Sequence, residues 1–163
     1  IYVLCRAEGT GFPTVSAYDD SHNGAYDCFL FRLDHDGKVV WSTYLGGQGP
    51  DMPLAIAAIP SGGVCIAGET RSADYPVTSG ADMASFSGGE NDGFLSVFDA
   101  NGRLRWSTCV GGTGEDDVLA HADLRREFFQ HLRQTRVLAE PVVSCEDQPR
   151  PRFSGEEAGM ARF

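Results

Sequence analysis

Two glycine-rich segments of the chain each end in an aspartate whose carboxylate could bind a cation. Residues 46–51 and 111–116 both have the pattern G-G-x-G-x-D, with Asp51 and Asp116 in the last position. Carboxylate oxygens are ligands that Ca²⁺ prefers in proteins. Aspartate also accepts hydrogen bonds from backbone amides in turns, and glycine adopts positive φ, so a purely structural loop is the competing interpretation.

The spacing of the two segments favours the structural loop. In calcium-binding β-rolls the same motif recurs every nine residues, so that adjacent turns share the cation. Here the copies lie 65 residues apart, and neither is followed by a second nonapeptide. We therefore expect glycines with positive φ and a capping aspartate. A single calcium site per copy, with Asp51 or Asp116 as ligand, is the alternative.

The other polar residues lack the spacing of a catalytic or metal site. Asp34, Asp36 and Asp99 lie in small polar segments typical of turns, without the further oxygen ligands of an EF-hand. No G-x-S-x-G elbow or phosphate-binding loop is present. The histidines have no zinc-binding spacing. They are His22, His35, His121 and His131. We predict no catalytic residue and no resident cofactor.

Charge and hydropathy exclude two classes of partner. The formal net charge is −10, and the basic residues form no stripe, which argues against nucleic-acid binding. No apolar run reaches the about 20 residues that a membrane-spanning helix needs. We expect a protein, a glycan or a cation as partner. The five cysteines are interpreted as buried free thiols, because they show no C-x-x-C spacing and an odd number cannot all pair.

An internal repeat organises most of the chain. Residues 27–51 and 92–116 are identical at 12 of 25 positions, including Trp41 and Trp106. Within one unit, alternating apolar residues separated by Gly, Pro and Asp segments predict four short strands. They lie at about 29–33, 38–45, 55–59 and 64–69, and residues 1–5 form a further strand. Residues 70–91 are a long connection, expected to be functional or to wrap across the sheets.

The repeated residues resemble the SBBP repeat, a bacterial β-propeller repeat. The segment from Leu33 to Asp51 matches its L-D-x-x-G and Y-L-G-G-x-G-x-D block, and Tyr75-Pro76 matches its second block. Trp41 and Trp106 stand where the family more often has Tyr. The resemblance implies an all-β fold, with about two four-stranded antiparallel blades in residues 1–120. These are a partial blade (1–26), a repeat unit (27–91) and an incomplete repeat unit (92–120).

The resemblance also implies a function class and a location. Such propellers belong to secreted or cell-envelope proteins and usually have no defined enzymatic activity. Two blades cannot close a ring of four to eight, so we expect further blades or chains to cover the sheet edges. The start on a strand, without Met or a leader segment, is typical of a fragment. We interpret the chain as a non-catalytic module that binds protein or glycan.

A quinoprotein-type dehydrogenase fragment is the enzyme alternative. The tryptophan-docking motif of those propellers is matched by Asp34, Gly37, Lys38, Trp41 and Gly46, with one residue missing before the glycine. A calcium-stabilised repeat array is the other alternative. It would use the G-G-x-G-x-D loops already described.

Composition changes after residue 120. Residues 1–120 hold 18 of the 20 glycines, whereas residues 121–163 hold 7 of the 13 Lys and Arg. Apolar residues at helical spacing behind Asp123 predict a helix over about 123–136, followed by an irregular segment rich in Pro and charge. This tail replaces the fourth strand that the second unit should have. A cap, a fusion junction and an artefact of the gene sequence are the alternative interpretations.

Overall fold

The computed structural model of the chain describes residues 1–60, 62–81, 83 and 85–113. All regular secondary structure in these residues is β. The seven strands are β1 (Tyr2–Ala7), β2 (Asp27–Leu33), β3 (Val39–Leu45), β4 (Asp51–Ala58), β5 (Val64–Thr70), β6 (Asp92–Phe98) and β7 (Leu104–Val110). The all-β class and the strands expected from the repeat are confirmed. The predicted helix at 123–136 and the rest of the tail lie outside the described residues.

The strands form two antiparallel sheets. The first sheet has the order β1-β2-β3, and the second has the order β4-β5-β6-β7. Short hairpins join β2 to β3, β4 to β5, and β6 to β7, each with a glycine at positive φ. Gly37 and Gly102 occupy matching turn positions with φ of 77° and 79°. The turn chemistry expected for residues 34–37 is therefore confirmed.

The boundary between the sheets does not coincide with the boundary of the sequence repeat. The four strands of residues 27–91 divide equally, because β2 and β3 belong to the first sheet and β4 and β5 to the second. The break falls at the glycine-rich segment 46–50, between β3 and β4. One repeat unit thus links two sheets covalently.

The two sheets share one apolar core. Cys28, Leu30 and Trp41 from the first sheet lie in one buried cluster with Ile66, Phe94 and other residues of the second sheet. Of the cysteines, Cys28, Cys65 and Cys109 are buried and Cys5 is half-buried, and all four are free thiols. Cys145 lies outside the described residues. Burial of apolar surface between the sheets is the main stabilising contribution expected here.

The long connections run along the outer strands of both sheets. In the first sheet, Ser42 of β3 exchanges backbone hydrogen bonds with Val15. In the second sheet, Thr78 donates its backbone N–H to the Ser107 carbonyl oxygen at 3.1 Å. Part of the connection 70–91 therefore lies along the outer strand β7. Within the described part of the chain, no helix has the length and hydropathy to cross a membrane.

Candidate functional site

Asp51 lies at the start of β4, directly after the glycine-rich segment. Its side chain is fully buried. Oδ2 accepts hydrogen bonds from the Gly47 backbone N–H at 2.7 Å and from the Ser72 hydroxyl at 2.8 Å, and Oδ1 accepts one from Thr70. Three protein donors thus satisfy this carboxylate. The geometry is that of a carboxylate capping its own loop, which supports the structural interpretation of the segment.

The glycines of this loop serve close packing rather than positive φ. Gly46, Gly47 and Gly49 are not among the residues with positive φ, so that part of our prediction was wrong. A Cβ atom at Gly46 would lie 2.7 Å from both Asp27 Oδ1 and Asp51 Oδ2. Because no side chain fits between these two carboxylates, glycine is required for steric reasons.

Asp27 is a second buried carboxylate that sequence reasoning missed. It opens β2, and its Oδ2 accepts the Asn23 backbone N–H at 2.8 Å. Its Oδ1 has no hydrogen-bond partner among the described residues, and the same is true of Asp92 Oδ1. Asp92 occupies the matching position in the second unit, where a Cβ at Gly111 would lie 2.4 Å from Asp92 Oδ1. The identity of Asp27 and Asp92 at the 65-residue offset was the signal that could have found them.

Burial sets the protonation behaviour of this carboxylate pair. Desolvation raises the pKa of Asp27, and the Asn23 hydrogen bond opposes the shift. Desolvation also raises the pKa of Asp51, against the hydrogen bond from Thr70, and the charge of Asp27 raises it further. The pair therefore binds protons more tightly in the folded chain than exposed carboxylates do.

The remaining candidate ligands do not join this pair. Asp116 lies outside the described residues, so the calcium hypothesis for it stays a prediction. Asp34, His35 and Asp36 place ligand atoms within 4.8 Å of one another on an exposed hairpin. Asp34 Oδ1 accepts the backbone N–H groups of Asp36 and Lys38 at 2.9 Å, as expected for a turn residue. Asp99 makes the same two bonds in the second hairpin, to Asn101 and Arg103.

An open polar cleft lies beside the glycine-rich segment, and we call it the loop cleft. Its volume is about 490 Å³. Asp74 Oδ1 accepts the Gln48 backbone N–H at 2.9 Å on one side, and Asp19 accepts the Asn23 amide at 2.9 Å on the other. The lining residues are Tyr18, Asp19, Asn23, Gly46, Gly47, Gln48, Asp74 and Pro76. The cleft thus combines an exposed aromatic ring with carboxylates and amides.

Trp41 makes a polar contact between the two sheets. Its indole N–H donates to the carbonyl oxygen of Ala100 at 3.0 Å, in the hairpin between β6 and β7. Its ring stacks on Phe98 at 6.2 Å between centroids, and a Cβ at Gly102 would lie 2.8 Å from it. Arg32 also donates to the Ala100 oxygen, at 2.7 Å. The ring of one repeat copy thus docks on the hairpin of the next.

The fold and site define residues 1–113, as far as they are described, as an all-β region of antiparallel strands with loop-lined surface clefts. No protein-family model matches the sequence. Over 99 residues the chain is 28% identical to the regulatory protein FlaEY of Caulobacter vibrioides. The match covers 61% of this chain and 10% of that protein, so it spans about a tenth of its relative's length.

Proposed function

We propose that the chain is a non-catalytic β-propeller repeat module that binds a glycan or protein ligand through the loop cleft. The observation that carries the proposal is the docking of Trp41 on the hairpin of the following repeat copy. In a propeller, successive sheets are arranged around a central channel, and each blade carries a glycine and aromatic motif. The resemblance to the SBBP repeat supports the same architecture and a location outside the cell or at its envelope.

The chemistry of the loop cleft favours a polyhydroxylated ligand. Tyr18 offers a half-exposed ring, and Asp19, Asn23 and Asp74 offer hydrogen-bond donors and acceptors at its rim. A ring face beside a few convergent polar groups is a common way to orient a sugar in a shallow site. Similarity to part of a regulatory protein is compatible with a binding role that involves no turnover.

A binding titration tests this function. We expect an oligosaccharide array to identify a ligand, and Tyr18→Ala to weaken its binding about tenfold or more in calorimetry. His35→Ala changes an exposed residue on a hairpin outside the cleft and should bind as wild type does. If Tyr18→Ala bound the ligand as tightly as wild type does, the binding site would lie outside the loop cleft. An array without a hit would exclude the glycan and leave the protein ligand.

The quinoprotein alternative shares the docking tryptophan, so the Trp41 contact favours both architectures. The two differ in what a longer protein containing this chain would hold. A bound quinone, visible by its absorbance, would favour the dehydrogenase. Ligand binding without such a chromophore would favour the binding module.

A further inference from the structure

The docking contact between the sheets has a donor half and an acceptor half, and the repeat supplies each half twice. The occupied donor is Trp41, and the occupied acceptor is hairpin B, which we define as residues 99–103. At the 65-residue offset, Trp106 is the second donor, and hairpin A, residues 34–38, is the second acceptor. In the described residues, Trp41 is paired with hairpin B, whereas Trp106 and hairpin A make no such contact.

Hairpin A has the geometry of the occupied hairpin B. Its Asp34 backbone N–H donates to the Lys38 carbonyl oxygen at 2.9 Å, and in hairpin B the Asp99 N–H donates to Arg103 at 3.0 Å. The glycine φ angles are 77° and 79°. Hairpin A therefore presents the His35 carbonyl oxygen as hairpin B presents that of Ala100. An indole would need no rearrangement of this turn in order to dock on it.

Trp106 and hairpin A are both accessible in the described part of the chain. Trp106 is 43% exposed, whereas Trp41 is 1% exposed. Among the described residues, no atom lies within 4 Å of the position that a Cβ at Gly37 would take, whereas Gly102 is covered by the Trp41 ring. Val39 and Val40, which follow hairpin A, are also about 40% exposed. The exposed tryptophan and the open hairpin are thus the two halves of a contact that Trp41 and hairpin B already make within the chain.

We propose that the chain associates head to tail with a second copy of itself, with Trp106 of one copy docked on hairpin A of the next. The indole N–H would donate to the His35 carbonyl oxygen, and the ring would lie over Gly37 and against Leu33. The occupant is a second copy because each chain carries both halves. Trp41, in the first sheet, contacts the second sheet. If this relation is shifted by one repeat, Trp106 lies on the side of the second sheet that faces away from the first, and hairpin A lies on the side of the first sheet that faces away from the second. Such heterologous contacts form rings or open chains.

One difference from the internal contact sets its expected strength. Arg32, which also bonds to the Ala100 oxygen, is replaced by Val97 at the matching position beside Trp106. The external contact therefore lacks one charged hydrogen bond. We expect an association weak enough to depend on concentration in the micromolar range or above. The proposal does not depend on the loop cleft or its ligand.

Sedimentation velocity of the full chain over a range of concentrations tests the proposal. The wild type should show a mass that grows with concentration. Trp106→Ala and Gly37→Ala should each weaken association about tenfold or more. Each single variant keeps one intact half, so an equimolar mixture of the two should form a heterodimer and stop there. Tyr18→Ala, which removes another half-exposed aromatic ring, is the matched control and should associate as wild type does.

The outcomes separate cleanly. A wild type that stays monomeric up to several hundred micromolar overturns the proposal. If its Trp106 is then shielded from acrylamide quenching in a Trp41→Phe background, another part of the same chain covers it. Association that survives both variants, or a mixture that fails to pair although both variants keep the far-UV circular dichroism of the wild type, also overturns it. Because the variants lie in different elements, misfolding of one leaves the other as a test.

Discussion

At the scale of single residues, Asp27 and Asp51 are buried together but satisfied differently. Three protein donors bind Asp51, whereas Asp27 keeps one oxygen without a partner among the described residues. A buried polar group that lacks a hydrogen-bond partner lowers the free energy of unfolding. Removing Asp51 and neutralising Asp27 should therefore change stability in opposite directions.

Asp51→Ala should lower the free energy of unfolding by about 3 kcal/mol, because it leaves the Gly47 N–H and two hydroxyls without their acceptor. Urea unfolding followed by circular dichroism measures this. Asp36→Ala, on the exposed hairpin A, should stay within about 0.5 kcal/mol of wild type. Equal effects of the two substitutions would show that the Asp51 hydrogen bonds add nothing to stability.

Asp27→Asn should raise stability at neutral pH by about 1 kcal/mol, because the amide removes a buried charge that has too few hydrogen-bond donors. Burial raises the pKa of Asp27 in the folded chain above its ordinary value of 3.8. The stabilisation from protonating Asp27 is thus present below pH 3.8 and is lost as pH rises through the folded pKa. The advantage of the variant should be absent at acid pH and should grow across that window. Urea unfolding at a series of pH values checks it, and a gain that is independent of pH would contradict this cause.

The sequence motif located Asp51, but only the fold shows why its glycines are needed. A G-G-x-G-x-D pattern is compatible with positive φ, with a metal loop and with close packing. Gly46 is required because two carboxylates from different strands converge on it. Asp27 lies 24 positions before Asp51, and no local pattern indicates that their side chains meet. Residues that are close only through long-range strand pairing are hidden from pattern analysis.

At the scale of elements, hairpins A and B have matching turns, and within the described residues only hairpin B packs against a tryptophan. Comparing the same substitution in both hairpins therefore distinguishes the cost of backbone strain from the cost of overpacking. Alanine at Gly37 or Gly102 meets the same positive φ, which costs about 1 kcal/mol at either position. At Gly102 the new Cβ would also lie 2.8 Å from the Trp41 ring. The difference between the two variants therefore isolates the docking contact.

Gly102→Ala should destabilise the chain by about 1 to 3 kcal/mol more than Gly37→Ala does, because overpacking is added to the strain. Chemical unfolding at low protein concentration, where head-to-tail association is absent, measures the difference. The Trp41 fluorescence should also shift to the red in the Gly102 variant. Equal losses for both variants would mean that the indole moves aside without cost.

Strand positions could be predicted from alternation and turn residues, but the grouping of strands could not. Residues 46–50 and 59–63 both read as short connections with glycine. The second is a hairpin with an Ile59 N–H to Gly63 carbonyl bond, whereas the first leads from one sheet to the other. The 46–50 segment differs because the buried carboxylates of Asp27 and Asp51 pack against its glycines. The contact with Asp27 joins residues that are distant in sequence.

At the scale of the whole molecule, the two sheets are joined because the boundary between them falls inside a repeat unit. The repeat unit 27–91 contributes two strands to each sheet, and the buried cluster includes side chains from both sheets. The apolar faces that meet in this cluster belong to both sheets, so separating the sheets would expose them. We therefore expect the described region to unfold in one cooperative transition, with coincident fluorescence and circular dichroism curves.

The same transition decides the calcium hypothesis for Asp51 and Asp116. A cation that binds only the folded chain stabilises it by about 2.7 kcal/mol at a hundred times its dissociation constant, which raises Tm by several degrees. The donors that satisfy Asp51 lead us to expect a Tm in 1 mM Ca²⁺ within about 1 °C of that in chelator. A larger rise would make the loops cation sites. It should then disappear in Asp27→Asn, because Asp27 Oδ1 is the carboxylate oxygen beside Asp51 for which the described residues supply no donor. A rise that persists in that variant would place the cation elsewhere in the chain.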